Sequence, residues 1–135
     1  MWSLERSTLA LVCLGVAVVT TACGSPADQA AEKQATDLRS ALASQDGDAA
    51  CAALAPRTAS ELEQSAGKPC PQAILEEKLP TDGEVSGARV FGTMAQVKYD
   101  GETVFLSRFP DGWRVSAVGC TEGAAGLYDC AVEGG

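Results

Sequence analysis

The chain has 135 residues and a formal net charge of -8, with 18 acidic against 10 basic side chains and no histidine. That length allows one domain with a modest core, and an anionic surface repels both nucleic-acid phosphates and anionic lipid head groups, so no nucleic-acid partner is expected. The missing imidazole excludes Ser-His-Asp, Cys-His and histidine-ligated zinc chemistry together.

The chain opens with a short polar stretch, Met1–Arg6, in which Glu5 offsets Arg6. Leu9–Val19 is then an unbroken apolar run of eleven residues. A membrane-spanning helix needs roughly 20 residues, whereas a run of this length suits the core of a signal peptide. Thr20-Thr21-Ala22-Cys23 follows. This run resembles the lipobox of bacterial lipoproteins, in which the leader is cut before the cysteine, the thiol receives diacylglycerol and the new amino group is often acylated, palmitate being the expected acyl type. Thr21 and Ala22 fit its small-residue cleavage pocket, while Thr20 stands where leucine is usual. The resemblance implies a signal peptide over residues 1–22, a lipidated Cys23, a tether over residues 23–27 and a single domain over residues 28–135. That domain would sit, as a lipoprotein of the cell membrane, at the outer face of the cytoplasmic membrane.

Past the tether, Ala31, Ala35, Leu38 and Leu42 recur at helical spacing, with Asp28, Glu32, Lys33 and Arg39 elsewhere around the axis. The pattern predicts an amphipathic helix of about 16 residues that ends before Gly47. Asp48 is placed to cap a short helical segment carrying Cys51 and Leu54. Asp46 and Asp48 lack the D-x-D-G order and the distant glutamate of a calcium loop. Pro56 opens a further helix that stops near Gly67. Pro71 opens another, with Ile74, Leu75 and Leu79 as its buried side, and Pro80 ends it.

After Pro80 the apolar period changes from helical to alternating. Val85, Val90 and Phe91 mark a first strand, and Ala95, Val97 and Tyr99 a second. Asp100-Gly101 is a hairpin signal. Val104 and Leu106 flank Phe105 in a third strand, Pro110-Asp111-Gly112 makes a turn, and Trp113, Val115 and Ala117 alternate in a fourth that ends at Cys120. Helices first and strands second define an α+β fold, with the helices packed on one face of a four-stranded antiparallel meander.

Once Cys13 leaves with the leader and Cys23 carries lipid, Cys51, Cys70, Cys120 and Cys130 remain, an even number in an oxidising compartment. More than one pairing is possible. Cys51–Cys70 and Cys120–Cys130 are favoured because each is local and stays within one half of the domain. The first would close a loop of about 20 residues, worth roughly 3 kcal/mol in the chain-entropy model. No C-x-x-C spacing is present, so neither a cysteine metal site nor a redox pair is expected.

Taken together, Asp46-Gly47-Asp48-Ala49-Ala50-Cys51 with Leu54, Gly67-Lys68-Pro69-Cys70, Phe109 to Val115, and Gly119-Cys120 to Tyr128-Asp129-Cys130 resemble a group of small actinobacterial lipoproteins with an NTF2-like domain. The resemblance covers most of the mature chain. It implies a curved sheet wrapped around a helix layer as a cone, often with a pocket. Catalytic members of that family use an Asp-His or related pair, which nothing here matches, so no catalytic residue carries over.

The remaining candidates are carboxylates and a basic hairpin. Asp82 and Glu84 at the entry to the sheet, and Glu102 at the start of the third strand, would serve as acids or bases only if buried. Their turn-rich setting predicts exposure. Arg108 and Arg114 flank the Pro110–Gly112 turn and, facing each other beside Trp113, would read an anionic ligand. Trp113, Phe105, Phe109 and Tyr99 are expected in the core or lining a pocket. The expected function is a lipid-anchored, non-enzymatic binding or accessory domain, with no cofactor and with an extracytoplasmic protein or small ligand as partner. Its rival is a ligand carrier or carboxylate-based enzyme using the cone cavity.

Overall fold

A computed structural model describes residues 24–135; the expected leader over residues 1–22 and the expected lipidation site Cys23 lie outside the described residues. Within them the order is helices then strands: α1 (Pro26–Ala43), α2 (Gly47–Ala53), α3 (Pro56–Ala66), α4 (Cys70–Glu76), β1 (Val85–Phe91), β2 (Met94–Tyr99), β3 (Glu102–Phe109), β4 (Gly112–Glu122) and β5 (Tyr128–Glu133). The fold is α+β, and the sheet is antiparallel in the order β1-β2-β3-β4-β5. It therefore has five strands where four were expected.

α1 starts at Pro26, inside the segment read as tether. A capping box explains the early start. The Ser25 hydroxyl accepts from the Asp28 N–H at 3.1 Å and the Asp28 carboxylate accepts from the Ser25 N–H at 3.0 Å, with Pro26 suited to the first turn. The other oxygen of Asp28 accepts from Val90 N–H at 2.8 Å, on β1, which forms one edge of the sheet. One carboxylate thus starts the helix and pins it to the sheet. Ala31, Ala35, Leu38 and Leu42 are buried, as their spacing predicts. α2 is capped by Asp46, whose side chain accepts from Ala49 N–H at 3.0 Å, and not by Asp48, which lies in the first turn. α3 runs from Pro56 to a left-handed Gly67. α4 ends at Glu76 and not at Pro80, so Ile74 is buried and Leu75 half-buried on the helix, whereas Leu79 is buried beyond its end.

The helices cover one face of the sheet, against Ala95, Val97, Val104, Leu106, Val115 and Val118. Chain and sheet are also stitched directly where Ala55 N–H donates to the Val115 carbonyl at 2.7 Å. β4 does not alternate throughout. Its pairing with β3 shifts between Val115 and Ala117 and again before Cys120. Each bulge inserts an unpaired residue, so Val118 takes the buried place that strict alternation gave to Ala117. The first bulge frees the Ser116 carbonyl, which accepts from the Thr58 hydroxyl and from Gly134 N–H, both at 3.0 Å.

The cysteines pair as Cys51–Cys70 and Cys120–Cys130. The first joins α2 to the start of α4. The second links directly opposed residues of β4 and β5.

The Asp28 junction gives a pH prediction. Its carboxyl is held below the ordinary carboxylate range, chiefly by the Ser25 N–H, with further help from the Ser25 hydroxyl, Val90 N–H and the Arg89 charge. A carboxyl lowered on folding stabilises fully above its unfolded value, and that contribution is lost as pH falls through the folded one. Denaturation midpoints of wild type and Asp28→Asn should therefore converge towards acid pH and separate at neutral pH. Curves that run parallel would reject this role for Asp28.

Candidate binding site at the mouth of the sheet

The site begins with an arginine in an unexpected place. Arg39 lies four residues after Ala35 and three before Leu42, on the apolar stripe of α1, and is only 5% exposed. Its counter-charge comes from the hairpin between β2 and β3. The left-handed Gly101 turns the chain so that Tyr99 and Glu102 pair across the hairpin on the helix-facing side. Glu102 is 6% exposed, which overturns the expectation that its turn-end position solvates it. One Arg39 Nη donates to the Glu102 carboxylate, and the other donates to the Asp82 carbonyl. The guanidinium lies 3.7 Å from the centre of the Tyr99 ring, a cation–π arrangement.

The second bulge of β4 completes the arrangement. Gly119, at φ 69°, turns its N–H onto Glu102 Oε1 at 2.9 Å. A Cβ there would approach Ala131 Cβ and Leu79 Cδ2 to 2.9 Å, so glycine is required by space as well as by conformation. Glu102 thus joins α1 to β4, and Arg39 joins α1 to the segment leading into β1. Arg39 Nε is buried without a partner among the described residues.

Beside this pair, α1 and the approach to β1 leave an open cavity of about 450 Å³, lined by Glu32, Thr36, Arg39, Glu84 and Tyr99 among others. The Tyr99 and Thr36 hydroxyls are 3.5 Å apart. Burial pushes the Tyr99 phenol above its ordinary range, although the Thr36 hydrogen bond and the Arg39 charge pull the other way. Like any phenol at neutral pH it is uncharged and can donate or accept. Glu84 is exposed on the rim, and the Asp82 side chain is exposed as well. Of the three carboxylates singled out by sequence, the fold brings Glu102 and the Asp82 backbone onto Arg39 and leaves Glu84 apart on the cavity lip. Among the described residues no group of three or more cysteine, aspartate or glutamate side chains is placed to hold a metal ion.

The two arginines of the basic hairpin are not brought face to face as expected from the sequence. Arg108 pairs with Trp113 and Arg114 with Ser107; residues adjacent along a strand point to opposite faces, so the two arginines do not face each other. Arg108 lies 4.7 Å from the centre of the Trp113 ring. Arg114 donates to the Ala52 carbonyl in the last turn of α2 and to the Asp111 carboxylate, which holds the Asp111 carboxyl below its ordinary range. Its positive charge complements the negative end of that short helix. Trp113 and Tyr99 belong to the buried core, whereas Phe105 lies on the opposite face of the sheet, edge-on to Tyr128 with ring centres 4.9 Å apart.

No protein-family model matches this chain, and no curated protein or solved structure matches it.

Proposed function

We propose that this chain is a lipid-anchored, extracytoplasmic binding or accessory domain of the NTF2-like kind, working without catalysis. The observation that carries the reading is the chemistry of the mouth. Its buried cation is already neutralised by Glu102, its phenol lies beside the Thr36 hydroxyl, and its one rim carboxylate from the sheet entry is exposed. A cavity built this way offers hydrogen bonds and shape to a small polar ligand or a protruding peptide segment. An enzymatic reading would need a free buried acid, and Glu102 is committed to Arg39 and the Gly119 N–H.

The anchor half of the reading rests on Thr20 to Cys23. Cys23→Ala should release the protein from membranes to the medium or leave it as unprocessed precursor, while mass spectrometry of the wild-type N-terminus should find acylated Cys23. An unmodified N-terminus at another residue would sink the anchor. The binding half is tested by mild crosslinking in native membranes followed by co-purification. A bound species retained by wild type and lost with Tyr99→Phe and Thr36→Val supports the mouth as the site. Turnover of a substrate that is abolished by Glu84→Gln would replace binding with catalysis.

A further inference from the structure

The chain's net charge opposes contact with an anionic membrane, but its charges are not spread evenly. On the sheet face turned away from the helices, β1 presents Gly87, Arg89 and Phe91, and β2 presents Met94, Gln96 and Lys98 opposite them. None of the residues that β1, β2 and β3 turn outward is a carboxylate, in a chain with 18 acidic residues. Neither Arg89 nor Lys98 forms an ion pair among the described residues. Gly87 leaves a notch of about 210 Å³ between these two cations. At the hairpin tip, Phe91 and Met94 face each other in register and are 57% and 53% exposed.

This face adjoins the start of the chain. Gly24 lines a groove with Gly87 and Ala88 of β1, and Asp28 bonds to the residue next to Phe91. Cys23 immediately precedes Gly24 in the chain, and the helix cap is already formed at Ser25. Asp28 and Glu32 of α1 also line that groove; Asp28 is occupied by Ser25 and Val90 and feels the Arg89 charge.

We infer that the outer face of β1 and β2 is a membrane-docking surface, on which Phe91 and Met94 enter the interfacial layer and Arg89 and Lys98 meet the phosphates of anionic lipids. This rests on the lipid-anchor reading of Cys23. An acyl root beside β1 holds the domain where this face meets the bilayer first, and two cations with two apolar side chains then fix its orientation.

The test uses the full chain, processed and lipid-modified, reconstituted into phosphatidylcholine vesicles with or without phosphatidylglycerol. Phe91→Trp is compared with Gln64→Trp, an exposed position on α3, by quenching with bromine-labelled lipids. The expected result is strong quenching at position 91, little at 64, and loss of most of the position 91 signal from phosphatidylglycerol vesicles when Arg89→Glu and Lys98→Glu are added. Equal quenching at the two positions, with mass spectrometry still finding acylated Cys23, overturns the docking surface and leaves the anchor standing. Absence of the acyl group overturns both. Quenching that ignores the charge reversals overturns the assignment of Arg89 and Lys98.

Discussion

Arg39→Met and Glu102→Leu are each expected to destabilise the domain by about 3–5 kcal/mol, and the double variant by much less than the sum of the two. Each single change strands a full charge in the core. Without Arg39, the Glu102 carboxylate keeps only the Gly119 N–H. Without Glu102, the guanidinium keeps only the Asp82 carbonyl and the Tyr99 ring. Replacing both removes the desolvation cost along with the attraction, and the buried Nε that lacks a partner disappears too. Denaturant midpoints of the oxidised domain at neutral pH give the comparison. Additive losses in the double variant, or singles costing under about 1 kcal/mol, would mean that the pair contributes no more than a surface ion pair does.

Loss of the Cys51–Cys70 bridge, by serine at both positions, is expected to cost about 2–5 kcal/mol. The Cys120–Cys130 pair should matter less. It closes a sequence separation of 10 against 19 for the first, and it lies across strands that are already paired by backbone hydrogen bonds. α2 and α4 are only 7 residues each, too short to persist alone. They rely on each other, and the bridge fixes their approach. Gly47 marks how tight that approach is, because a Cβ there would collide with the backbone of Pro71. The measurement is again a denaturation midpoint, for each double serine variant separately. Equal losses for the two bridges would argue that strand pairing near Cys130 depends on its own cross-link.

Most of the fold is legible in the residues because the signals are local. α3 starts at Pro56 and α4 within a residue of Pro71, the left-handed Gly67 ends α3, and the Asp100-Gly101 hairpin sits where its dipeptide places it, whereas the start of α1 at Pro26 falls inside the expected tether. β5 was not legible. Its inward positions offer one strongly apolar residue, Val132, and its flanks carry Asp129 and Glu133, so Tyr128–Glu133 reads as a polar tail. The β4 bulges were equally hidden, since period-two counting carries no information about an inserted residue until its partner strand is known. The mouth of the sheet was half legible. Asp82, Glu84 and Glu102 stand out as acids, whereas Arg39 counts among the charges elsewhere around α1, although its spacing from Ala35 and Leu42 puts it on the buried stripe. Long-range pairing, 63 residues apart in the chain, is what no local pattern contains.

The two borders of the sheet are finished differently, and this bears on how copies of the chain meet. At the β1 border, Asp28 occupies the Val90 N–H that a foreign strand would need. At the β5 border, Asp129 and Glu133 are exposed on a strand of 6 residues. A second copy adding its own β5 there would bring identical carboxylates alongside these. Strand addition is thus opposed by occupancy of one edge N–H on the first border and by like charge on the second.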